Sequence, residues 1–415
     1  MVISLSNKLG FITKKQMMLC AWILLFVFQD LLCKFSSIFS YIDEAPLLIW
    51  IGLCFYKILR NKRLDIKDSE KTFFIVLIAF VLFGLVGNIL YHYQPIKLVI
   101  IDLLTNIKFF GAIFLFEEIS MLEDSSEKKC AECGKILTLI LFMIFVVDRI
   151  FNIYPAEYRY GIKSAVLFYS HPTYFAGVCA FLISLMTISS PNKYKYFILL
   201  DVIMIMFTLR SKAFMSAFAF VILYIVIIKL RVKLELWQLA VLGVIAVCIA
   251  WPQINFYFIQ LGGHSARSVM LLTSFQILKD YFPFGTGFAT YASHSAAVNY
   301  SPVYTKYGFE LIYELRNSAQ GTFFDDQFWP IIFGQTGFLG SICYVYILGH
   351  LICKIQKVFK YNLKDYMIGF FIIIYLLISS IAEPAFNNSV AIPMAMVMGM
   401  IFGRKKPGKK MMKGR

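Results

Sequence analysis

Charge is scarce in this chain and leans one way: 15% of its 415 residues are charged, 40 of them basic and 24 acidic. So little charge cannot cover a soluble fold of this size. With 60% hydrophobic residues and a mean hydropathy of +0.73, the chain belongs with polytopic membrane proteins. The hydrophobic runs also lack apolar/polar alternation, which excludes β-barrel spans. Signatures of soluble chemistry are missing: there is no P-loop, no G-x-S-x-G and no H-E-x-x-H. A nucleotide hydrolase, an α/β-hydrolase and a zinc protease therefore lose their support. No repeat of about 20–50 residues is visible, and no Gly/Pro-broken pair of spans recurs in the two halves as inverted-repeat transporters would show.

Cysteine is missing from the long polar segment. Cys20, Cys54, Cys179, Cys248 and Cys343, among nine cysteines, fall inside apolar runs, where a small apolar residue is explanation enough. Cys130 and Cys133 form a C-x-x-C. Zinc needs four ligands and no second pair or nearby His completes them, so the pair reads as incidental. The first apolar run is followed by Asp30 and Lys34 without a small-residue cleavage site, and is expected as an uncleaved first span.

What is present is a series of apolar windows close to the roughly 20 residues of a spanning helix. The sequence predicts an all-α, polytopic membrane protein of about 12 transmembrane helices. They fall near 17–35, 45–59, 72–90, 96–117, 136–154, 165–189, 194–210, 212–229, 236–254, 327–352, 366–381 and 386–403. A polar stretch at Arg210 to Lys212 divides an apolar run too long for one helix, so two spans joined by a tight turn are expected. Lys14, Lys15, Lys57, Arg60, Lys128, Lys129, Lys193, Arg231, Lys354 and Lys357, with the basic tail 404–415, then share the cytoplasmic side. Both termini are expected there. The net charge of +16 reads as topogenic and facing membrane lipid, not as a nucleic-acid footprint.

Four regions follow: helices 1 to 9 over 1–254, a large extracytoplasmic loop with short helices over 255–326, helices 10 to 12 over 327–403, and the tail. A loop of that length calls for a special role. Cations expected on the outer side, against the topology rule, include Arg149, Arg210, Lys212, Arg267 and Arg316; an anionic ligand explains them, as does snorkelling to headgroups. Arg210-Ser211-Lys212 pairs a rigid donor fork with a mobile point charge, which suits a pyrophosphate. Val269 to Leu278 is apolar enough for a short surface helix with Arg267 in its first turn, where an anion would offset the unfavourable macrodipole. Pro283-Phe284-Gly285-Thr286-Gly287 ends that helix in a sharp turn, a geometric role.

Asp325 and Asp326 stand at the entrance of the next span. One of them can cap that helix; two adjacent acids exceed the need, and a carboxylate near a low-dielectric boundary can act as a general base. His171 in Tyr169-Ser170-His171-Pro172 reads as a helix cap and as a contact for a polar ligand.

In their order these pieces resemble the O-antigen polymerase and ligase superfamily of bacterial surface-polysaccharide assembly. The resemblance covers Ser170 to Gly340 and rests on Arg210-Ser211, on Arg267 through Gly287, and on Asp326 through Gln335-Thr336-Gly337-Phe338-Leu339-Gly340. The ligase branch shows His-Asn where this chain has Asp326-Gln327, which favours the polymerase branch. The resemblance implies a metal-independent glycosyltransferase without a cofactor, in the bacterial cytoplasmic membrane. It would use polyprenyl-pyrophosphate-linked oligosaccharides, with Tyr291, Tyr300, Tyr304 and Trp329 offering aromatic faces to the saccharide, and work beside a flippase and a chain-length regulator. A ligase, or a transporter or flippase of a lipid-linked saccharide, is the alternative. A transporter should bury ionisable groups near the midplane, for which the chain offers few candidates, Asp102, Lys108 and Asp201, and the large outer loop favours surface chemistry.

Overall fold

The computed structural model describes residues 13–61, 68–120, 126–235, 237–238, 255, 265–316 and 323–404. Within them the chain is mostly helical. The helices in order are α1 (Lys14–Cys33), α2 (Ala45–Asn61), α3 (Asp68–Tyr91), α4 (Ile96–Ser120), α5 (Ser126–Phe151), α6 (Pro172–Ser189) and α7 (Pro191–Phe207). There follow α8 (Ser211–Leu223, continued by a π turn to Lys229), α9 (Ala266–Asp280), α10 (His294–Val298), α11 (Pro302–Lys306), α12 (Trp329–Val358), α13 (Leu363–Ser379) and α14 (Ala391–Gly403). A two-residue hairpin, β1 (Tyr158–Arg159) with β2 (Ile162–Lys163), interrupts them. Tyr160 (φ 52°) and Gly161 (φ 74°) make its left-handed turn.

Among the described residues, seven helices are long and apolar enough to cross a membrane: α1, α3, α4, α5, α6, α8 with its π turn, and α12. Helices α2, α7 and α13 have 17 residues each and α14 has 13, short of the roughly 20 of a full span. The span expected at 236–254 lies outside the described residues but for 237–238.

Two compact units divide the chain. The first comprises residues 1–46, 112–218 and 392–415. Its centre is α6, which carries no charged residue and is buried on all sides. That is what a helix apolar all round must do. Ser184 and Thr187 inside it return their hydroxyls to the carbonyls of Ala180 and Ile183. Helices α5 and α7 pack on α6, and α1 packs on α5. Ser211 and Lys212 open α8, and the turn expected at Arg210 to Lys212 falls at 208–210 between α7 and α8, with Leu209 left-handed at φ 53°. Ser164 fastens it by donating to the Thr208 carbonyl, and Ala165 N–H donates to that of Phe207.

The second unit comprises 47–111 and 219–391. Its axis is α12, packed on α3, α9 and α13. Helix α12 breaks at Gly337 (φ 64°, ψ −161°), and non-helical chain fills the break. Thr286 N–H donates to Gly334 O at 3.0 Å, Gly287 N–H to Gln335 O at 2.9 Å, and Leu339 N–H to Pro283 O at 3.2 Å. The helix carbonyls freed by the break are thus satisfied by the loop, as buried backbone in an apolar setting requires. A Cβ on Gly285 would lie 2.4 Å from Gly337 N, and one on Gly337 would lie 2.3 Å from Gly285 N, so neither position takes a side chain. The geometric role of the Gly-x-Gly is therefore specific: it lets backbone meet backbone.

Candidate functional site

The site is built where α9 begins and α12 is about to begin. Ser265 caps α9 by accepting from Ser268 N–H, and Ala266 N–H donates to Glu314 Oε2 at 3.0 Å. Arg267 stands in the first turn, where the positive end of the helix disfavours a cation. Two carboxylates offset that: Glu314 on the Ala266 amide, and Asp326, whose Oδ2 accepts from Arg267 Nη2 at 3.0 Å. The anion beside Arg267 is thus supplied by a residue 59 positions along the chain. Each partner keeps about a third of its side chain open, 31% for Arg267 and 32% for Asp326.

Neither acid caps α12. Its N-cap is Phe328, with no side-chain hydrogen bond, so the capping expectation for Asp325 or Asp326 is corrected. Asp325 lies 4.0 Å from His294 Nδ1. Although its side chain is 39% exposed, partial removal from water lifts its carboxyl above the ordinary range; the neighbouring Asp326 adds to this, and His294 opposes it. Asp326 lines a narrow crevice with Met270, Ala292, Phe324, Gln327 and Pro330. The crevice is too narrow to admit even a water, far from the roughly 300–1,000 Å³ of ligand pockets, so a saccharide must lie over its mouth or widen it.

The aromatic expectations divide. Tyr291 and Tyr304 are fully buried, which corrects their reading as sugar platforms. Tyr291 donates to Met270 O at 2.6 Å, Tyr304 accepts from Ala292 N–H at 2.9 Å, and their rings form a core with Phe309. They hold the loop together because a chain folding outside the helices needs its own apolar centre. Tyr300 is half-buried and donates to Leu315 O. Trp329 is half-exposed, its indole donating to Ser380 Oγ and its ring stacked on Phe333. Arg316 is exposed, its guanidinium over the Tyr313 ring.

The remaining expected residues belong to the first unit. Arg210 Nη2 pairs with Glu157 Oε2 at 3.2 Å, and Arg159 reaches the same oxygen at 3.2 Å. The charge of Arg210, with that of Arg159, holds the Glu157 carboxyl below its ordinary range against partial burial. His171 caps α6 through Nδ1, with Pro172 next. Its outer edge is exposed, yet its pKa is pushed down to about 4, by burial first and then by the charges of Arg210 and Lys212. Arg159, His171, Arg210 and Lys212 thus form one electrostatic cluster with Glu157. Arg149 is corrected: Nη1 donates to Lys163 O at 2.6 Å, and Nη2 to Asp148 Oδ2 at 3.0 Å and Ser164 O at 3.3 Å, so both terminal nitrogens are committed to the fold.

Sequence reasoning missed Asn88, and missed the part that Asp102 and Gln335 play in seating the loop. Asn88 bonds Phe288 through both amide atoms, donating to its carbonyl at 2.9 Å and accepting from its N–H at 2.8 Å. Asp102 accepts from Ala289 N–H at 2.9 Å and Asn106 Nδ2 at 3.3 Å. Gln335 donates to Tyr291 O and Ser293 Oγ. A polar residue inside an apolar span was the signal available for each. Compared with protein-family models and with curated proteins, the sequence gives no match.

Proposed function

We propose that the chain polymerises lipid-linked oligosaccharide repeat units, moving glycan from a polyprenyl-pyrophosphate donor to an acceptor sugar hydroxyl at the outer face of a bacterial cytoplasmic membrane. The part-exposed Arg267–Asp326 pair, with Arg267 on helix α9 and Asp326 lining the crevice, is the observation that carries this reading. The donor's pyrophosphate takes the place of the Asp326 carboxylate on the Arg267 fork. Asp326, so released, accepts the proton of the attacking hydroxyl while the bond from anomeric carbon to pyrophosphate oxygen breaks. Arg267 stabilises the charge that develops on the leaving pyrophosphate; losing such a donor typically raises a barrier by about 3 to 4 kcal/mol. In the first unit the Arg210 and Lys212 cluster offers the same phosphate-recognising chemistry, and is tested separately by Arg210→Lys.

Purified protein in liposomes with lipid-linked repeat units decides the reading. A ladder of products supports polymerisation, a single transfer indicates ligation, and leaflet exchange without transfer indicates a flippase. Arg267→Lys keeps charge and loses the fork; polymer of unchanged length and amount from that variant removes the clamp. The flippase reading draws on Asp102, Lys108 and Asp201, which are all buried.

A further inference from the structure

Cys130 and Cys133 sit on one face of α5, three residues apart. Helix α1 packs against α5 and brings Cys20, from its second turn, against both thiols. The structure therefore adds a third sulfur to a motif that is incomplete in the sequence. Cys20 and Cys133 are partly exposed, and Cys130 is buried.

We infer that Cys20, Cys130 and Cys133 form a reversible redox site, in which a peroxide oxidises two of the thiols to a disulfide joining α1 to α5. The Cys20 thiolate attacks the peroxide O–O bond, giving a sulfenic acid and hydroxide, which leaves as water after taking a proton. The thiolate of Cys130 or Cys133 then attacks the Cys20 sulfur. The S–S bond forms, and the sulfenic oxygen leaves as a second water with the proton of the attacking thiol. Two thiols and one hydrogen peroxide thus give one disulfide and two waters. The third thiol stands beside the bond, placed to exchange with it and to open it when an external dithiol reduces the cluster. This rests on the first unit alone and is independent of the proposed polymerase activity.

Full-length protein in native membranes, treated with hydrogen peroxide, alkylated and digested without reductant, gives the test. The expected result is a cross-linked peptide joining Cys20 to Cys130 or Cys133, with two of the nine thiols lost to alkylation per chain and recovered with dithiothreitol. Cys20→Ser abolishes that peptide; should the variant not accumulate, the wild-type peptide map decides alone. A map with only a Cys130 to Cys133 bridge, or with these cysteines oxidised singly to sulfinic acid, overturns the inference.

Discussion

Two charged centres, one in each unit, use the same side chains to different ends. Around Asp148 the charges are closed: the carboxylate is 1% exposed and holds Lys163 and Arg149 at 3.0 Å and the Tyr154 amide at 2.9 Å. Arg149 spends its other terminal nitrogen on the Lys163 carbonyl. Around Asp326 the charges are open, each partner a third exposed beside a crevice. A buried centre whose carboxylate is fully engaged serves the fold, because any ligand would have to replace bonds already made in low dielectric. A half-open pair can exchange partners with little loss.

That contrast can be broken by experiment. Asp148→Asn leaves the Lys163 ammonium, 9% exposed, without its carboxylate. It should lower stability by about 3 to 5 kcal/mol, read by thermal unfolding in detergent; an unchanged melting temperature would mean the centre is not closed. Gly285→Ala forces a Cβ to 2.4 Å from backbone at φ 77° and should remove roughly 3 kcal/mol along with activity, since the clasp at Gly337 joins the end of α9 to α12. Asp326→Asn should shift stability by less than about 1 kcal/mol while reducing polymer at least about 100-fold in the liposome assay. A large stability loss there would place Asp326 with Asp148 as structural.

The smallest effect concerns His171, whose folded pKa of about 4 lies below its ordinary 6.5. Between those values the unfolded chain binds a proton that the folded chain refuses, so stability falls as pH drops from 6.5 to 4 and levels off beyond. His171→Asn keeps a good cap and removes the titration. Its melting temperature should then change less across that window than the wild type's.

The all-helical membrane character was legible because long apolar runs set it, but not the number of spans, since α2, α7, α13 and α14 fall short of span length. The Arg210 turn was legible because the apolar run around it is too long for one helix. Arg267 and Asp326 were legible as separate signals, a cation at a helix start and a doubled acid at a span entrance. Their pairing was not, because it joins residues 59 apart through a loop fold. Tyr291 and Arg149 misled for a related reason: an aromatic or a guanidinium reads alike in sequence whether its partners are ligands or the chain's own carbonyls. Cys130 and Cys133 looked incomplete because the third thiol arrives on another helix.

Asn88 finds its partner 200 residues later. A chain made from its N-terminus finishes α3 long before Phe288 exists, and the notch at Gly84 and Gly87 stays empty until the segment 284–288 arrives. Closure of the second unit is therefore a late, long-range event, sensitive to the pace of synthesis more than to the strength of any one helix.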